Sequence, residues 1–502
     1  MKLNVDEHDP CIDLRDELFR DRSLIIAANR GPVTFQTAED GSRTFSRGSG
    51  GLVTALVGLA QHVDASWVAC ARTDTDIEWQ AGHVSLWQSP ETIQVRFLSP
   101  QPAAYDAYYN VIANPLLWFL QHQMWDIPRQ PVIDMTTWRA WTEGYVAINR
   151  LFADAIVDQA RTATKRPLVM LQDYHLYLAP RMIRLALRPA ERPTLLHFVH
   201  IPWPGPDYWS ILPRDMRIPI LEGLLGADLL GFQTHDDVLN FLRTCERNLS
   251  RVSVRYSTQR IWYRNHHTQV RAFPISIDVS ALRRLAATER VRAFRTEIEN
   301  LIGHRKMLLR IERIEPSKNV VRGFQAFAEM LELFPELRGQ VKFLAILVPS
   351  RMDLGEYRNY LSEIMTEVGN VNATYGSSDW EPIRVLLGED YERAVAAMQC
   401  YDVLLVNSIA DGMNLVAKEG PIVNERAGQL VLSERTGARE QLQEGSLVIA
   451  PCDVHATAHA LRRALTMLAE EKERRAALLR ERVEREDINW WLCQQLEAVA
   501  RL

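Results

Sequence analysis

Residues 411–419, DGMNLVAKE, carry the clearest chemical signal in the chain. They follow the apolar run 402–407, and their glycine turn opens a helical pattern. Unpaired backbone N–H groups and the positive end of the helix dipole at such a turn bind phosphate. We place Glu419 two turns into the helix, where its carboxylate accepts hydrogen bonds from ribose hydroxyls. The segment therefore predicts a site for phosphate and ribose groups.

Three basic residues follow two other apolar runs. Arg313 and Lys318 lie in one loop after the run 307–311, and Arg351 follows the run 342–348. Two cations that converge from a strand-end loop suit a pyrophosphate, whose charge one side chain cannot neutralise. Ordinary surface charge would explain the same residues, so both interpretations stay open at this point.

The first half of the chain has its own residues at the ends of apolar runs. Asp173 follows the run 168–172 and His200 ends the run 194–200, so the two side chains would reach the same edge of a parallel sheet. Structural hydrogen bonding would explain each of them equally well. The first run ends at Arg30, and the glycine turn 48–51 precedes a helical pattern, which favours either a phosphate or a flexible capping loop.

The elements that position these residues can be read from hydrophobic periodicity. Near-continuous apolar runs of four to seven residues recur along the chain, with helical patterns between most of them. This alternation indicates an α/β protein with parallel sheets whose strands are buried on both faces. We predict two doubly wound, Rossmann-like domains, 1–275 and 279–480, facing across a cleft, and a C-terminal helix in 481–502 that packs back on the first domain.

The composition excludes several classes of function. Of 502 residues, 47% are hydrophobic and 24% charged, and 58 Lys and Arg against 63 Asp and Glu leave a net charge of −5, so no basic excess indicates a nucleic-acid partner. No apolar run approaches the ~20 residues that span a bilayer. The polar N-terminus lacks the apolar stretch of a signal peptide. With six scattered cysteines and no CxxC pair, we expect reduced, mostly buried thiols in a cytoplasmic enzyme.

Six motifs, each at a predicted strand end or helix start, resemble the trehalose-6-phosphate synthase family in type and order: Asn29-Arg30, the Gly-Gly before a helix, DYH, HIPWP, ERIEPSK and DGMNLVAKE. The resemblance covers about residues 23–496. Members of that family are retaining glycosyltransferases with the two-Rossmann-domain architecture called GT-B. The resemblance implies transfer of glucose from a nucleotide-glucose donor, with UDP-glucose favoured, to glucose 6-phosphate. The products would be trehalose 6-phosphate and a nucleoside diphosphate.

The resemblance also implies roles for the matching residues. The acceptor pocket would be formed by Arg30, Tyr109, Trp118, Asp173 and Arg351. The donor would be held by Gly51, His200, Arg313, Lys318, Asp411, Gly412, Met413, Asn414, Leu415, Val416 and Glu419, several of them through backbone groups. The residues expected to take part in catalysis are His200, Asp173, Arg313, Lys318 and Asp411.

The implied mechanism is front-face substitution with retention. The acceptor hydroxyl attacks the anomeric carbon on the face that the nucleotide leaves, and a donor phosphate oxygen accepts its proton. Arg313 and Lys318 would neutralise the charge on the departing diphosphate, so we expect neither a metal nor a cofactor. The triplet Asp74-Thr75-Asp76 superficially resembles the metal-binding DxD motif of other glycosyltransferases, and we interpret it as an ordinary loop.

Two departures leave the acceptor open. Gln172 and Ala410 stand where many family members carry His and Arg. The segments EPSKN, NSIADG and PIVNER are similar to the related pseudo-glycosyltransferase that makes validoxylamine phosphate, but Tyr109 and the complete DGMNLVAKE argue against that activity. Glucosylglycerol-phosphate synthases, which lack the Asn-Arg opening and the Tyr–Trp pair, and a catalytically silent sugar-phosphate sensor are further alternatives. The expected partners are the substrates, without nucleic acid or membrane, and a homo-oligomer stays open.

Overall fold

The computed structural model describes residues 10–38, 40–47, 56–57, 59–60, 63–85, 92–352 and 354–502. The chain divides into two compact units, unit 1 with Met1–Ile275 and Asn489–Leu502, and unit 2 with Ser276–Ile488. Gly51, together with the rest of the predicted turn 48–51, lies outside the described residues.

Unit 1 is built on a ten-stranded sheet and a separate two-stranded hairpin, counted over the described ranges. Its strands in chain order are β1 (Arg22–Ala27), β2 (Val33–Thr37), β3 (Arg43–Arg47), β4 (Ala65–Cys70), β5 (Ala81–Val84), β6 (Ile93–Leu98), β7 (Arg166–Gln172), β8 (Thr194–Phe198), β9 (Leu229–Phe232), β10 (Ser253–Arg255), β11 (Arg260–Tyr263) and β12 (His266–Ala272). The sheet order is β10-β11-β12-β9-β8-β7-β1-β4-β6-β5, and β2 pairs with β3.

The central strands from β12 to β6 in that order run parallel, while β10, β11 and β5 add antiparallel edges. Every residue of β4 and β8 is buried. Because alternate residues of a strand point to opposite faces, both faces of the sheet are covered there. The predicted parallel α/β architecture is therefore confirmed, and its physical basis is the continuous apolar runs.

The helices of unit 1 include Asp74-Thr75-Asp76, the triplet that the sequence analysis interprets as a loop. They cover Pro10–Arg20, Asp74–Trp79, Pro102–Asp106, Trp118–Gln121, Met135–Arg139, Ala147–Thr162, Ala179–Ala186, Pro206–Trp209, Arg214–Leu224, His235–Asn248 and Ile488–Ala500, with wider π-helical stretches at Ala107–Leu117 and Ala140–Val146. Asp76 belongs to a helix that Thr73 caps, so the loop interpretation was wrong. Its buried carboxylate accepts hydrogen bonds from the backbone N–H groups of Phe35 (2.8 Å) and Arg72 (2.9 Å) and holds the hairpin.

The cysteine expectation was also wrong in part. Cys11 and Cys493 form a disulfide that joins the first and last helices within unit 1, across a sequence separation of 482 residues. Cys70, Cys245 and Cys400 are free and buried, whereas Cys452 is free and exposed. A pairing between the two ends of a chain has no signature in local spacing, because only the tertiary fold brings such residues together.

Unit 2 has a six-stranded sheet, entirely parallel over the described residues. Its strands are β13 (Lys306–Arg313), β14 (Val341–Val348), β15 (Ile383–Leu387), β16 (Val403–Val406), β17 (Gln429–Ser433) and β18 (Leu447–Ile449), in the order β15-β14-β13-β16-β17-β18. The helices are Val279–Ala286, Glu289–Ile302, Val320–Leu333, Gly355–Tyr375, Tyr391–Cys400, Val416–Val423, Arg439–Leu442, Val454–Thr466 and Ala469–Arg485. Phe324, Phe327 and Phe343 pack in the core. Across the described parts of both units, no helix is long and apolar enough to cross a membrane.

Candidate active site

In unit 1 the neighbouring parallel strands β7 and β8 bring Asp173 and His200 to the same edge of the sheet, as predicted. The backbone N–H of His200 donates to Oδ1 of Asp173 at 3.2 Å. Asp173 has φ +71° and ψ 177°, a conformation that costs a residue other than glycine about 1–3 kcal/mol. Its own N–H donates to the carbonyl of Phe198 at 2.7 Å, so the surrounding strands hold it in this conformation.

The imidazole of His200 contacts two glutamine side chains. Its Nε2 lies 3.0 Å from Oε1 of Gln172, and its Nδ1 lies 3.4 Å from Nε2 of Gln233. Burial, together with the neighbouring His197, lowers the pKa of His200 to about 3. The ring is therefore neutral at physiological pH.

The aromatic residues predicted for the acceptor form a chain of ring contacts. Tyr109 stacks on Tyr105 with centroids 5.7 Å apart and on His175 at 5.9 Å. Trp118 is buried and stacks on His122 at 4.0 Å. Tyr109 is half-buried and Arg30 is exposed, so both side chains are accessible to a ligand. Trp118 is buried and packs beneath the surface.

In unit 2, Lys318 and Asp411 meet at the carboxyl end of the sheet. Nζ of Lys318 lies 2.6 Å from Oδ2 of Asp411 and 3.5 Å from Oε2 of Glu312. Asn414 donates from Nδ2 to Oε1 of Glu312 at 3.0 Å and to Oδ2 of Asp411 at 3.1 Å. Burial lowers the pKa of Lys318, but Asp411 and Glu312 outweigh it and leave the pKa above its ordinary value. Lys318 is thus a buried, permanently charged ammonium.

The other two cations of unit 2 share one carboxylate. Nη1 of Arg313 lies 3.0 Å and Nη1 of Arg351 lies 3.6 Å from Oε1 of Glu315, which is fully buried. Ser350 donates to the same oxygen at 3.3 Å. Arg313 is the last residue of β13 rather than part of the following loop, and nearly half of its side chain is exposed.

The glycine turn precedes the helix Val416–Val423, which leaves Gly412, Met413, Asn414 and Leu415 in the approach to it. Glu419 therefore lies in the first turn of the helix, not two turns into it. Its Oε1 accepts a hydrogen bond from the hydroxyl of Tyr391 at 2.9 Å, and burial raises its pKa. The turn is tied to the next strand's loop by hydrogen bonds from Gly437 N–H to Asp411 (2.9 Å) and from Ala438 N–H to Met413 (3.0 Å).

Backbone strain marks the same positions. Asp173, Asn319, Arg351 and Asn414 all have positive φ although none is glycine. Non-glycine residues are held in this region only where the surroundings determine the conformation, and functional sites are enriched in them. Among the described residues, seven other non-glycine residues with positive φ lie elsewhere, so backbone strain agrees with this assignment but does not single out these edges.

Sequence analysis missed four partners: Gln233, Glu312, Glu315 and Tyr391. Gln233 directly follows β9, and both glutamates stand in the motif ERIEPSK. The strand-end argument that found Asp173 would have found Gln233 as well. No group of three or more His, Cys, Asp or Glu residues in the described ranges could hold a metal ion.

A family model described as Glycosyltransferase family 20 matches residues 22–501. This chain belongs to glycosyltransferase family 20. Its membership confirms the predicted family and identifies the chain as a glycosyltransferase.

Relatives of this glycosyltransferase match along nearly their whole length. The UDP-forming alpha,alpha-trehalose-phosphate synthase of Schizosaccharomyces pombe is 33% identical over 93% of this chain and 88% of its own. The trehalose-6-phosphate synthase of Mycobacterium leprae is 34% identical over 97% of this chain and 96% of its own. An E. coli structure bound with UDP-2-fluoro glucose superposes with TM-score 0.82 and 26% identity, covering 96% of this chain and 99% of that one. The predicted GT-B class is thereby confirmed.

Proposed function

We propose that this family 20 glycosyltransferase moves glucose from UDP-glucose to glucose 6-phosphate with retention, forming trehalose 6-phosphate and UDP. The observation that carries the proposal is the cluster of Lys318, Asp411 and Asn414 at the start of the helix Val416–Val423. A buried ammonium, a carboxylate and the backbone N–H groups of the turn that leads into the helix match the diphosphate and hydroxyl groups of a nucleotide sugar. Within the helix, the N–H of Ala417 already bonds Oδ1 of Asn414. Relatives named UDP-forming trehalose-phosphate synthases support the choice of substrates.

The donor is held by unit 2. Arg313 and Lys318 bind the diphosphate, with backbone N–H groups of Gly412, Met413, Leu415 and Val416 in the approach to the helix. Asp411 holds hydroxyls of the glucose, and Glu419 holds the ribose after Tyr391 releases its carboxylate. The family resemblance adds Gly51 and His200 to the proposed donor contacts, and both ring nitrogens of His200 already bond glutamine side chains.

The acceptor residues are assigned from the family resemblance. Arg30 and Arg351 bind the phosphate of glucose 6-phosphate, and Tyr109 packs against the ring, supported by Trp118. Asp173 accepts hydrogen bonds from acceptor hydroxyls. Its carboxylate is fixed by a strained backbone and by the N–H of His200, which supports a positioning role.

The chemistry requires no protein nucleophile. The acceptor's anomeric hydroxyl attacks C1 of the donor glucose from the face that UDP leaves. As the new C–O bond forms, the bond from C1 to the diphosphate oxygen breaks, and the hydroxyl proton passes to a diphosphate oxygen. His200 is neutral with both ring nitrogens hydrogen-bonded, which supports the diphosphate rather than imidazole as proton acceptor. Lys318 and Arg313 stabilise the departing charge.

We place the reaction in the cytoplasm, with substrates rather than nucleic acid as partners. The disulfide between Cys11 and Cys493 is uncommon for that compartment and argues in the other direction. The net charge of −5 supports the choice of partners, because a phosphate backbone would be repelled by the excess of 63 acidic over 58 basic residues. The oligomeric state is left to measurement.

A matrix of substrates tests the proposal. UDP-, GDP- and ADP-glucose are each combined with glucose 6-phosphate, glucose, glycerol 3-phosphate and a cyclitol phosphate, and products are identified by mass spectrometry. We expect UDP-glucose with glucose 6-phosphate to turn over at least about 100-fold faster than UDP-glucose with free glucose. Preference for glycerol 3-phosphate or the cyclitol would reassign the acceptor, and binding of both ligands without nucleotide release would indicate a sensor.

Variants separate the anion pocket from general effects of charge. Arg351→Gln and Arg30→Gln should each raise the KM for glucose 6-phosphate at least about tenfold, because each removes a charged hydrogen bond to its phosphate. Arg358→Gln is the matched control, since Arg358 lies nearby on the helix Gly355–Tyr375 and bonds the carbonyl of Met352. An equal effect in the control would refute the pocket.

A further inference from the structure

His200 is enclosed by two buried amide side chains, one at each ring nitrogen. Gln172 and Gln233 are both 1% exposed, and their contacts with the ring are 3.0 Å at Nε2 and 3.4 Å at Nδ1. The ring of Phe198 lies 4.4 Å from the imidazole centroid. Amides are donors at nitrogen and acceptors at oxygen, so the orientation of each amide decides which ring nitrogen carries the proton.

The backbone fixes the orientation of Gln233. Its Oε1 accepts the N–H of Ile275 at 2.9 Å, and a backbone N–H can only donate. The amide nitrogen of Gln233 must therefore face His200 and donate to Nδ1. Nδ1 then carries a lone pair, and in a neutral ring the proton is on Nε2. The facing atom of Gln172 is its oxygen, which accepts that proton.

The same argument assigns the tautomer of His197. Nε2 of His197 lies 3.1 Å from the carbonyl oxygen of Asp173, which can only accept, so Nε2 of His197 also carries a proton. Burial lowers the pKa of His197 to about 3. Two histidines thus contact Asp173: the ring of His197 bonds its carbonyl, and the backbone N–H of His200 bonds its carboxylate.

We infer that Gln172 and Gln233 are positioning residues: they hold the ring of His200 as the neutral Nε2–H tautomer and so keep in place the residue whose backbone N–H bonds Asp173. The catalytic significance of Asp173 rests on the proposed function, whereas the tautomer does not. Neither amide side chain changes its charge with pH.

The surroundings keep the ring neutral over a wide range of pH. The ionisable neighbours are His197 on β8, whose charge would repel the imidazolium, and Asp173 after β7, whose carboxylate accepts the backbone N–H of His200. Protonation of Nδ1 would place an N–H against the amide N–H of Gln233 and break that hydrogen bond. Gln233 therefore opposes the imidazolium form in addition to burial, whereas Gln172 accepts the Nε2–H bond in either form.

The direct test is ¹⁵N-histidine NMR of the full-length protein, with the His200 signals assigned by their loss in His200→Asn. We expect Nε2–H tautomer shifts that stay constant from about pH 5 to about pH 9, where an ordinary histidine titrates. An Nδ1–H pattern, or titration of His200 within that range, would overturn the inference. The NMR experiment needs no turnover measurement, so it can fail or succeed independently of the proposed function.

Two variants sharpen the test. Gln172→Glu places a carboxylate against Nε2–H and should raise the pKa of His200 by at least about two units, since an opposite charge favours the imidazolium. Its kcat/KM should then fall as the pH drops through the new pKa, in a step that is absent from the profile of the unmodified enzyme measured with the same substrates. Gln121→Glu is the control, because Gln121 is equally buried in unit 1 but bonds Pro202 and Tyr177. Unshifted His200 signals in Gln172→Glu, or equal shifts in Gln121→Glu, would contradict the assignment.

Discussion

Nζ of Lys318 lies 2.6 Å from Oδ2 of Asp411, in an ion pair that two of the motifs build together. Glu312 adds a second carboxylate at 3.5 Å, so one ammonium is shared by two acidic groups. Burial raises the pKa of Glu312, with Lys318 acting in the opposite direction. A diphosphate that enters this site must compete with Asp411 for Lys318. The more exposed Arg313 and the helical N–H groups must supply the remaining positive charge.

Removal of Lys318 should impair catalysis much more than binding of the acceptor. We expect Lys318→Met to lower kcat about 10²–10³-fold, because the departing diphosphate loses a preorganised cation. The measurement is steady-state UDP release at saturating substrates. Lys342→Met is the matched control: Lys342 is a buried lysine at the opposite end of the adjacent strand β14, where it bonds the carbonyl of Leu301. Near-normal kcat in Lys318→Met would remove Lys318 from the mechanism.

Glu315 connects the cations assigned to two different substrates. In Glu315→Gln, Arg313 and Arg351 both lose a charged partner, so we expect the KM for donor and the KM for acceptor each to rise about tenfold, equivalent to ~1.4 kcal/mol. Each KM is measured with the other substrate saturating. Glu363→Gln is the control, because Glu363 is exposed on the helix Gly355–Tyr375. It should change neither KM. A change confined to one substrate would show that Glu315 does not serve both arginines.

Lys418 should make the stability of the protein depend on pH. Nζ donates to Oε1 of Gln441 at 2.6 Å, and Gln441 in turn bonds Glu486. Burial lowers the pKa of Lys418 from 10.5 to about 7, with Glu486 opposing the shift. Between these two values the unfolded chain binds a proton that the folded chain does not, so this lysine makes stability rise with pH. Below about pH 7 both states are protonated, and the cost of a buried charge is fully present.

Lys418→Met removes that cost. We therefore expect the difference in Tm, variant minus parent, to be largest near about pH 6 and to decrease toward about pH 10. Calorimetric scans across this range provide the measurement. The same exchange at the exposed Lys165 should give a difference in Tm that is independent of pH. A pH-independent difference for Lys418→Met would mean that the folded protein keeps this lysine charged.

The disulfide between Cys11 and Cys493 predicts the thiol content. Denatured protein prepared without reductant should show four titratable thiols, from Cys70, Cys245, Cys400 and Cys452, and reduction should raise the number to six. Cys11→Ser should lower the Tm by several degrees, because the cross-link restrains the unfolded chain. Six thiols without reduction would instead agree with the original expectation for a reducing compartment.

The strands, and the sheet edges that carry the site, could be predicted because short contiguous stretches of sequence determine them. The run 168–171 is apolar at every position, so it must be buried on both faces, and a parallel sheet then brings Asp173 and His200 to one edge. The same argument correctly placed Lys318 and Asp411 at the carboxyl ends of β13 and β16, which the fold makes neighbours.

The polar partners of the site could not be predicted because they come from positions far away in the sequence. Gln233 meets His200 from another strand, and Cys11 meets Cys493 from the far end of the chain. The boundary of the helix at Val416 was misplaced because a turn containing Asn414 at positive φ delays its start. Periodicity locates elements, but the pairing of side chains across elements depends on register and packing.

The stereochemistry of the product tests the account most directly. The enzyme is given UDP-glucose and glucose 6-phosphate, and proton NMR follows the anomeric signals during turnover. The account predicts that UDP and a 1,1-linked disaccharide phosphate with α configuration at both anomeric carbons accumulate in equal amounts. A β configuration at the transferred glucose, or release of UDP with free glucose as the product, would contradict front-face transfer by these residues.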